Sequence, residues 1–345
     1  MSPEPGDDDG VLRLPTPRGP ATEALLAALA QPPGRMPSIP LPEDDPLAGE
    51  DQHLALYLLY ELHYRGLPGV DDRWEWEPSQ LAVRGALEAR FERALRERLG
   101  ASDVAVAPPE MDLALRAVLD ADDGPSVSGY IEREAERAEL LEFVVHRSAY
   151  QLKEADPHSF ALPRLWGPPK AAMVAIQADE YGGGRAERIH AQLFADAMVA
   201  LGLDARYGAY LEQIPGVTLA TVNLMSLLAL HRRLRGALVG HLAAFEMGSS
   251  LPNARYARGL RRLGFDGRAT AFFDEHVTAD AVHENLAAVD LAGGLARQQP
   301  ELAADVLWGA RALVDADARW ARHLLGAWEA GRSALRVPLG DAVAA

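Results

Sequence analysis

The chain has 345 residues (37.3 kDa), with 34 basic against 50 acidic side chains, a formal net charge of −16, and no cysteine. Having no thiols excludes disulfides, thiolate-held zinc or iron–sulfur sites and a cysteine nucleophile. The acidic excess argues against nucleic acid or an anionic membrane as a partner, because phosphates are repelled on average. No run of about 18 apolar residues marks a membrane-crossing helix, and the start, MSPEPGDDDG, is acidic and proline-rich, unlike a secretory signal. A soluble, cytoplasmic protein is expected.

Residues 1–48, rich in Pro, Gly and Asp with one helical pattern at 21–30, are expected to form a mostly disordered or loosely docked arm. From Asp51, HLALYLLYELHYRG carries apolar residues at helical spacing and stops at Gly66-Leu67-Pro68-Gly69; a second, amphipathic helix runs from Pro78 to about Leu99. Pro108, Pro109 and the acidic turn from Asp120 to Pro125 place a boundary, so that 49–127 forms an N-terminal helical region. From Ser128 nearly everything reads as helix, over 129–155, 169–201, 205–212, 216–248, 252–263, 266–290, 299–313 and 315–332. The stops fall at Pro157, Gly202, Pro215 and Pro252; at the prolines continuing would cost a hydrogen bond and a ring clash. With no period-two strand pattern, the fold class predicted is all-α, with the main domain over 128–335 and a flexible tail over 336–345.

Without thiols, the ligands left for a metal are carboxylates and the ten histidines, a set suited to iron, manganese or zinc. Glu180-x6-Glu187-x2-His190 puts three polar side chains within about 80° of one another on a continuous helix, although Gly182, Gly183 and Gly184 interrupt it at about 1 kcal/mol each. In His276-x3-Asp280-x2-His283, Asp280 lies about 40° and His283 about 20° from His276, on one face. Glu246 sits among Ala243, Ala244, Phe245 and Met247 on an apolar helix, where an unpaired carboxylate is expensive. Glu154 closes the helix before Pro157. Any one of these carboxylates could equally face solvent, since most of the 50 acidic groups must. Together, two carboxylate-x2-His pairs and two isolated Glu on other helices make the inventory of a two-metal site inside a helical bundle. His63 and His146 read as structural, and His231, with Arg232, Arg233 and Arg235, reads as a salt-bridged surface. No GxSxG elbow, P-loop or kinase motif is present.

This constellation, with the surrounding ELHYRG, YQLKEADPHSFALPRL, DEYGGGRAERIHAQLF, GHLAAFEMGSSLPN and FFDEHVTADAVHE, resembles the haem-oxygenase-like di-iron oxidases known as iron-containing redox enzymes, over about 51–335. The resemblance implies a haem-oxygenase-like helical bundle that binds two Fe(II)/Fe(III) ions in place of haem, with O2 as co-substrate. By analogy Glu154, Glu180, His190, Glu246, His276, Asp280 and His283 are the ligands, and Glu187 a further one that members of the family use variably. The implied activity is an O2-dependent oxidation of a small metabolite, amino-acid-derived among the options, in secondary metabolism: N-oxygenation, oxidative C–C cleavage or desaturation. An external electron donor and a homodimer are left open. Apolar residues around Glu246, with Phe272, Phe273 and Val277, are expected to wall the pocket. A non-catalytic helical metal-binding or docking protein on the same fold, and a ferritin-like di-iron bundle, remain as alternatives.

Overall fold

The structure, a computed structural model, describes residues 14–100 and 110–340, and for residues 280–282 the backbone only. The described helices are α1 (Pro20–Leu29), α2 (Glu50–Glu61), α3 (Pro78–Leu99), α4 (Met111–Asp120), α5 (Val127–Arg133), α6 (Arg137–Gln151) and the single turn α7 (Asp156–Ser159). They continue with α8 (Gly167–Glu180), α9 (His190–Ala200), α10 (Gly216–Leu230), α11 (Arg235–Arg262), α12 (Gly267–Asn285), α13 (Gly294–Gln298) and α14 (Ala303–Glu329). Among the described residues there is no strand, so the fold is all-α. None of the described helices is long and apolar enough to cross a membrane.

The centre of the bundle is α11, which packs against α14, α12 and α5. Its approach to α14 depends on two glycines. A Cβ on Gly240 would lie 1.8 Å from the Val306 carbonyl oxygen, and one on Gly309 would lie 1.9 Å from that of Ala237. Backbone therefore meets backbone at this crossing, and only glycine fits. Around this pair, α10 bridges α14 to α2, and α9 lies along α12. Apolar side chains all round α2 leave its residues from Asp51 to Glu61 buried, as expected for a helix with neighbours on every side.

Several boundaries differ from the sequence-based expectation. The arm is docked over its described part: Leu25 and Leu29 are fully buried. Asp51 of α2 also caps the α1 N-terminus, accepting from the backbone of Ala21 (2.9 Å) and Thr22 (2.8 Å). The stretch 129–155 divides at 134–136, where Glu139 reaches back to the Glu136 amide (2.8 Å) and starts α6 afresh. Residues 205–212 form turns rather than a helix. Pro252 lies inside α11 rather than ending it; packing against three neighbouring helices outweighs one missing hydrogen bond. No break falls near residue 314: α14 runs through it, with Leu313 and Ala316 on either side both buried. Residues 1–13, 101–109 and 341–345, with the expected boundary at Pro108 and Pro109, lie outside the described residues.

The close crossing gives a direct test. Gly240→Ala or Gly309→Ala should each lower unfolding free energy by about 2–3 kcal/mol or more, from overpacking against backbone. Gly326→Ala, exposed on α14 with nothing near its Cβ, should raise it by about 0.5–1 kcal/mol. Urea denaturation of the three variants reads both.

Candidate metal centre

Four stretches of chain deliver the candidate ligands. The first is the turn after α6, where Ala155 adopts a left-handed conformation (φ 71°), strained by about 1–2 kcal/mol for a residue with a Cβ. Two contacts hold that turn. On one side the Gln177 amide of α8 donates to the Ala155 carbonyl (2.9 Å) and to Ser159 Oγ (2.7 Å). On the other, fully buried Lys153 pairs with Glu61, whose second oxygen accepts from Tyr207 (2.6 Å), and its ammonium lies 4.3 Å above the Tyr64 ring. The turn is therefore pinned while Glu154, the next residue, faces the bundle interior.

The second stretch is the end of α8 with the start of α9, and here the structure corrects the sequence reading. Glu180 and His190 do not share a helix. The chain leaves α8 at Glu180, turns through Gly182, Gly183 and Gly184 at φ 65°, 60° and 79°, and re-enters helix at His190. A Cβ on Gly182 would sit 2.6 Å from the Arg188 carbonyl carbon, so the glycines let the chain fold back on itself. That reversal brings His190 Nδ1 to 2.8 Å from Glu180 Oε2. Glu187 lies in the intervening 3₁₀ turn (Ala186–Arg188), exposed and outside the cluster.

Glu246 comes from α11, and His276 and His283, two turns apart on one face, from α12. Asp280 belongs to the same helix, but its side chain lies outside the described residues. Two groups result: Glu154, Glu180, His190 and His276, and Glu180, Glu246 and His283, with the ligand atoms of each group all within 4.8 Å of one another. Every member is between 1% and 6% exposed. Glu180 belongs to both groups and turns one oxygen to each. Its Oε2 meets His190, while its Oε1 lies 3.7 Å from His283 Nδ1. His283 Nδ1 is also 3.3 Å from Glu246 Oε2, and His276 Nε2 is 3.4 Å from Glu154 Oε1.

The outward ring atoms fix which nitrogen faces in. His276 Nδ1 lies 2.8 Å from the Phe272 carbonyl, the partner of a donated N–H, leaving Nε2 toward Glu154. Nε2 of His283 pairs with Asp179 (3.0 Å), leaving Nδ1 toward Glu180 and Glu246. A carboxylate or carbonyl behind an imidazole is the usual support of a metal-ligating histidine. Glu154 Oε2, His190 Nδ1 and His283 Nδ1 are buried without a hydrogen bond, although the last two lie close to carboxylate oxygens. Two ligand atoms each about 2.1 Å from one ion at a right angle are about 3 Å apart, close to the separations seen here. Carboxylate oxygen with imidazole nitrogen is also a donor set that iron accepts. On both counts the residues fit a pair of metal ions.

Without a cation, these groups perturb one another. Burial pushes the His283 pKa down, but Glu246, Glu180 and Asp179 more than offset this and hold it at about 9. His190 is likewise raised, the Glu180 carboxylate outweighing burial. Glu180 is pulled below its usual range because three imidazoles outweigh the cost of its burial.

Other histidines are placed as structural groups. His63 touches Glu75 (3.2 Å), His146 bonds Thr218 (2.7 Å), and His231 reaches Glu88 (2.9 Å) beside a paired Arg233 and Glu92. Sequence reasoning missed His158, which pairs with His241 (3.2 Å) and borders the small space between Tyr150, Gln177, Glu180 and Glu246. Burial lowers its pKa to about 4, so it stays neutral. It missed Asp179 too, whose one signal was its place beside Glu180.

A cavity of about 280 Å³ opens beside the first group and includes Glu154 and His276 in its wall. Phe245 and Phe273 line it as expected; Phe272 instead packs its ring 4.3 Å from His276, and Val277 does not line it.

Residues 141–318, just over half of the chain and containing every candidate ligand, match the family model described as "Iron-containing redox enzyme". The chain belongs to that family, and iron is the metal the family description names. Among solved structures it is similar to a CADD-like protein of unknown function from Nostoc punctiforme, at 18% identity and a TM-score of 0.51, over 63% of this chain and 97% of that one; this likeness concerns the fold. No curated protein matches.

Two outcomes follow from the geometry. The stabilising effect of charged His283 is complete below its unfolded pKa of about 6.5 and is lost as pH rises through about 9. The metal-free protein should therefore lose melting temperature across that window, and a divalent ion should bind with proton release and with an affinity that climbs toward pH 9. Calorimetry in buffers of different ionisation enthalpy reads the protons; none released near pH 7.5 contradicts the geometry. Separately, Lys153→Met should cost about 3–5 kcal/mol by leaving Glu61 buried without its cation, measurable by denaturant unfolding.

Proposed function

We propose that the protein is an O2-dependent oxidase or oxygenase that uses two iron ions to oxidise a small metabolite. The observation that carries this reading is Glu180, which offers one oxygen to each of two adjacent buried ligand groups, as a carboxylate bridging two ions does. Two ferrous ions held by Glu154, Glu180, His190 and His276 on one side and by Glu180, Glu246 and His283 on the other would supply the electrons that reduce O2. Asp280, one turn from His276, is proposed as a fourth carboxylate of the set.

The chain's own residues divide the remaining work. Glu154 and His276 face the cavity, so a substrate meets the first group rather than the second. Phe194, Phe245 and Phe273 keep water from that end of the cavity. Asp179 and the Phe272 carbonyl hold the His283 and His276 rings in their tautomers. Tyr150 borders the small space beside Glu154, Glu180 and Glu246; burial and then those carboxylates push its pKa well above 10, so its Oη keeps its proton. A cavity left open by the side chains around it supports an enzyme over a docking protein of the same fold. A reductant from outside the chain is proposed to return the irons to the ferrous state between turnovers.

Anaerobic titration with Fe(II) should saturate at two ions per chain, and admitting O2 should then consume it with a change in the visible spectrum. His276→Ala and His283→Ala should each lose at least one ion. Saturation at one iron in the unmodified protein, or iron uptake with no O2 consumption, would sink the reading.

A further inference from the structure

We propose that the small space bordered by Tyr150, His158, Gln177, Glu180 and Glu246 holds one buried water, fixed by Gln177 and His158, and that this water gives protons to the oxygen reduced at the metal centre. The second half rests on the proposed function; the binding of the water does not.

Gln177 and His158 each bury a polar atom for which neither the protein nor a pair of metal ions provides a partner. Gln177 is 3% and His158 1% exposed, and Gln177 Oε1 and His158 Nδ1 make no hydrogen bond. Neither residue belongs to a ligand group. The amide cannot turn round to satisfy itself. Its Nε2 already donates to the Ala155 carbonyl (2.9 Å), which only accepts, and to Ser159 Oγ (2.7 Å). Ser159 in turn donates to Tyr181 Oη (2.8 Å), and Tyr181 to Asp156 (2.9 Å). The donors thus run one way, toward a carboxylate, and Oε1 is kept as the acceptor left over. His158 is held from behind, its Nε2 lying 3.2 Å from His241 Nδ1, which leaves Nδ1 on the other side of the ring.

Both residues line one space of about 10 Å³, room for the centre of a single water. A buried water makes about three hydrogen bonds. Here Gln177 Oε1 accepts one, and His158 Nδ1 takes another in either tautomer, because water both donates and accepts. The third reaches the metal-binding carboxylates, since Glu154, Glu180 and Glu246 line the same space. An apolar molecule such as O2 would leave both side-chain atoms unpaired.

O2 takes up one proton for each electron it accepts from the irons and the external reductant. The side chains around the space are poor sources of them. Tyr150 keeps its proton, burial and the neighbouring carboxylates holding its pKa well above 10. His158 is neutral, burial having lowered its pKa to about 4, and the carboxylates are taken up by the ions. The water passes a proton to the reduced oxygen and, left as hydroxide, takes one from solvent in the larger cavity, which shares Glu154, Ser249 and His276 with the small space. Gln177 and His158 are in this sense positioning residues, acting through the water they hold.

A crystal structure of the full chain, metal-free and loaded with Zn(II), should show one water within about 3.2 Å of Gln177 Oε1 and His158 Nδ1 in both states. Two substitutions separate holding the water from packing. His158→Asn keeps a polar atom where Nδ1 stands and loses the contact with His241; His158→Gln does the reverse. The Asn variant should keep the water and the Gln variant lose it. Loaded with two Fe(II) per chain, the Gln variant should consume O2 at least about tenfold more slowly than the Asn variant, with a larger slowing in D2O. A dry space in the unmodified chain overturns the proposal with no variant needed. Water present but equal O2 rates in the two variants overturns its role as proton source, and so does a slower Asn variant, which assigns the effect to the His241 contact. Because the water is seen without iron or O2, its presence with failed Fe(II) uptake overturns only the two-iron reading. Normal iron chemistry around a dry space overturns only this one.

Discussion

Removing an ionised carboxylate from water costs several kcal/mol, repaid only when a cation or a set of donors meets it. The core of this bundle buries three together, Glu154, Glu180 and Glu246, with three imidazoles among them. Even with His283 and His190 charged, buried nitrogens and oxygens at the centre are left without hydrogen bonds. Two divalent ions would bring four positive charges against three carboxylates and give the orphaned atoms their partners. The arrangement is intelligible as a container for cations and costly as anything else. Lys153 and Glu61 show the contrasting case in the same core: a buried carboxylate provided with its own ammonium and a tyrosine hydroxyl.

Meeting that constraint requires rigid placement from four separate stretches of chain. The glycine-to-backbone crossing of α11 and α14 fixes the helix that carries Glu246. The strained Ala155 turn, held by Gln177 and Lys153, presents Glu154. The chain reversal through Gly182–Gly184 sets His190 against Glu180, and α12, continuous through both histidines, spans the two ligand groups. Each device costs something locally: left-handed backbone, glycine in or beside helices, a buried ion pair. Such costs concentrate where positions must be exact to a fraction of an ångström. The cavity grows from the same parts, since the turn after α6 carries Glu154 and α11 carries Pro252 and Asn253 in the cavity wall.

The all-α class was legible from the chain, because helical periodicity and the lack of alternating strands are local properties. So were the residues that meet at the centre. Cysteine is absent, so only carboxylate and imidazole remain as strong ligands; glutamate inside HLAAFEM is costly without a partner, and two histidines spaced at seven share one helix face. Glu187 shows the limit of such reasoning: it fits the helical stripe of Glu180 only if the helix continues, and the glycines end it. Pro252 errs in the opposite direction, a local stop overruled by packing on three sides.

The amino-acid order alone thus determined the helical class and the kind of ligand atoms available, since both follow from neighbours within a turn or two. Tertiary structure decided the rest. That Glu180 serves two groups, that Asp179 stands behind His283, that His158 lies beside the centre, and that Arg147 and Asp317 line one cavity are relations between residues tens to hundreds of positions apart, or between ring atoms of a single side chain. Spacing along a helix says which residues share a face. Only the packing of helices on one another says what that face meets.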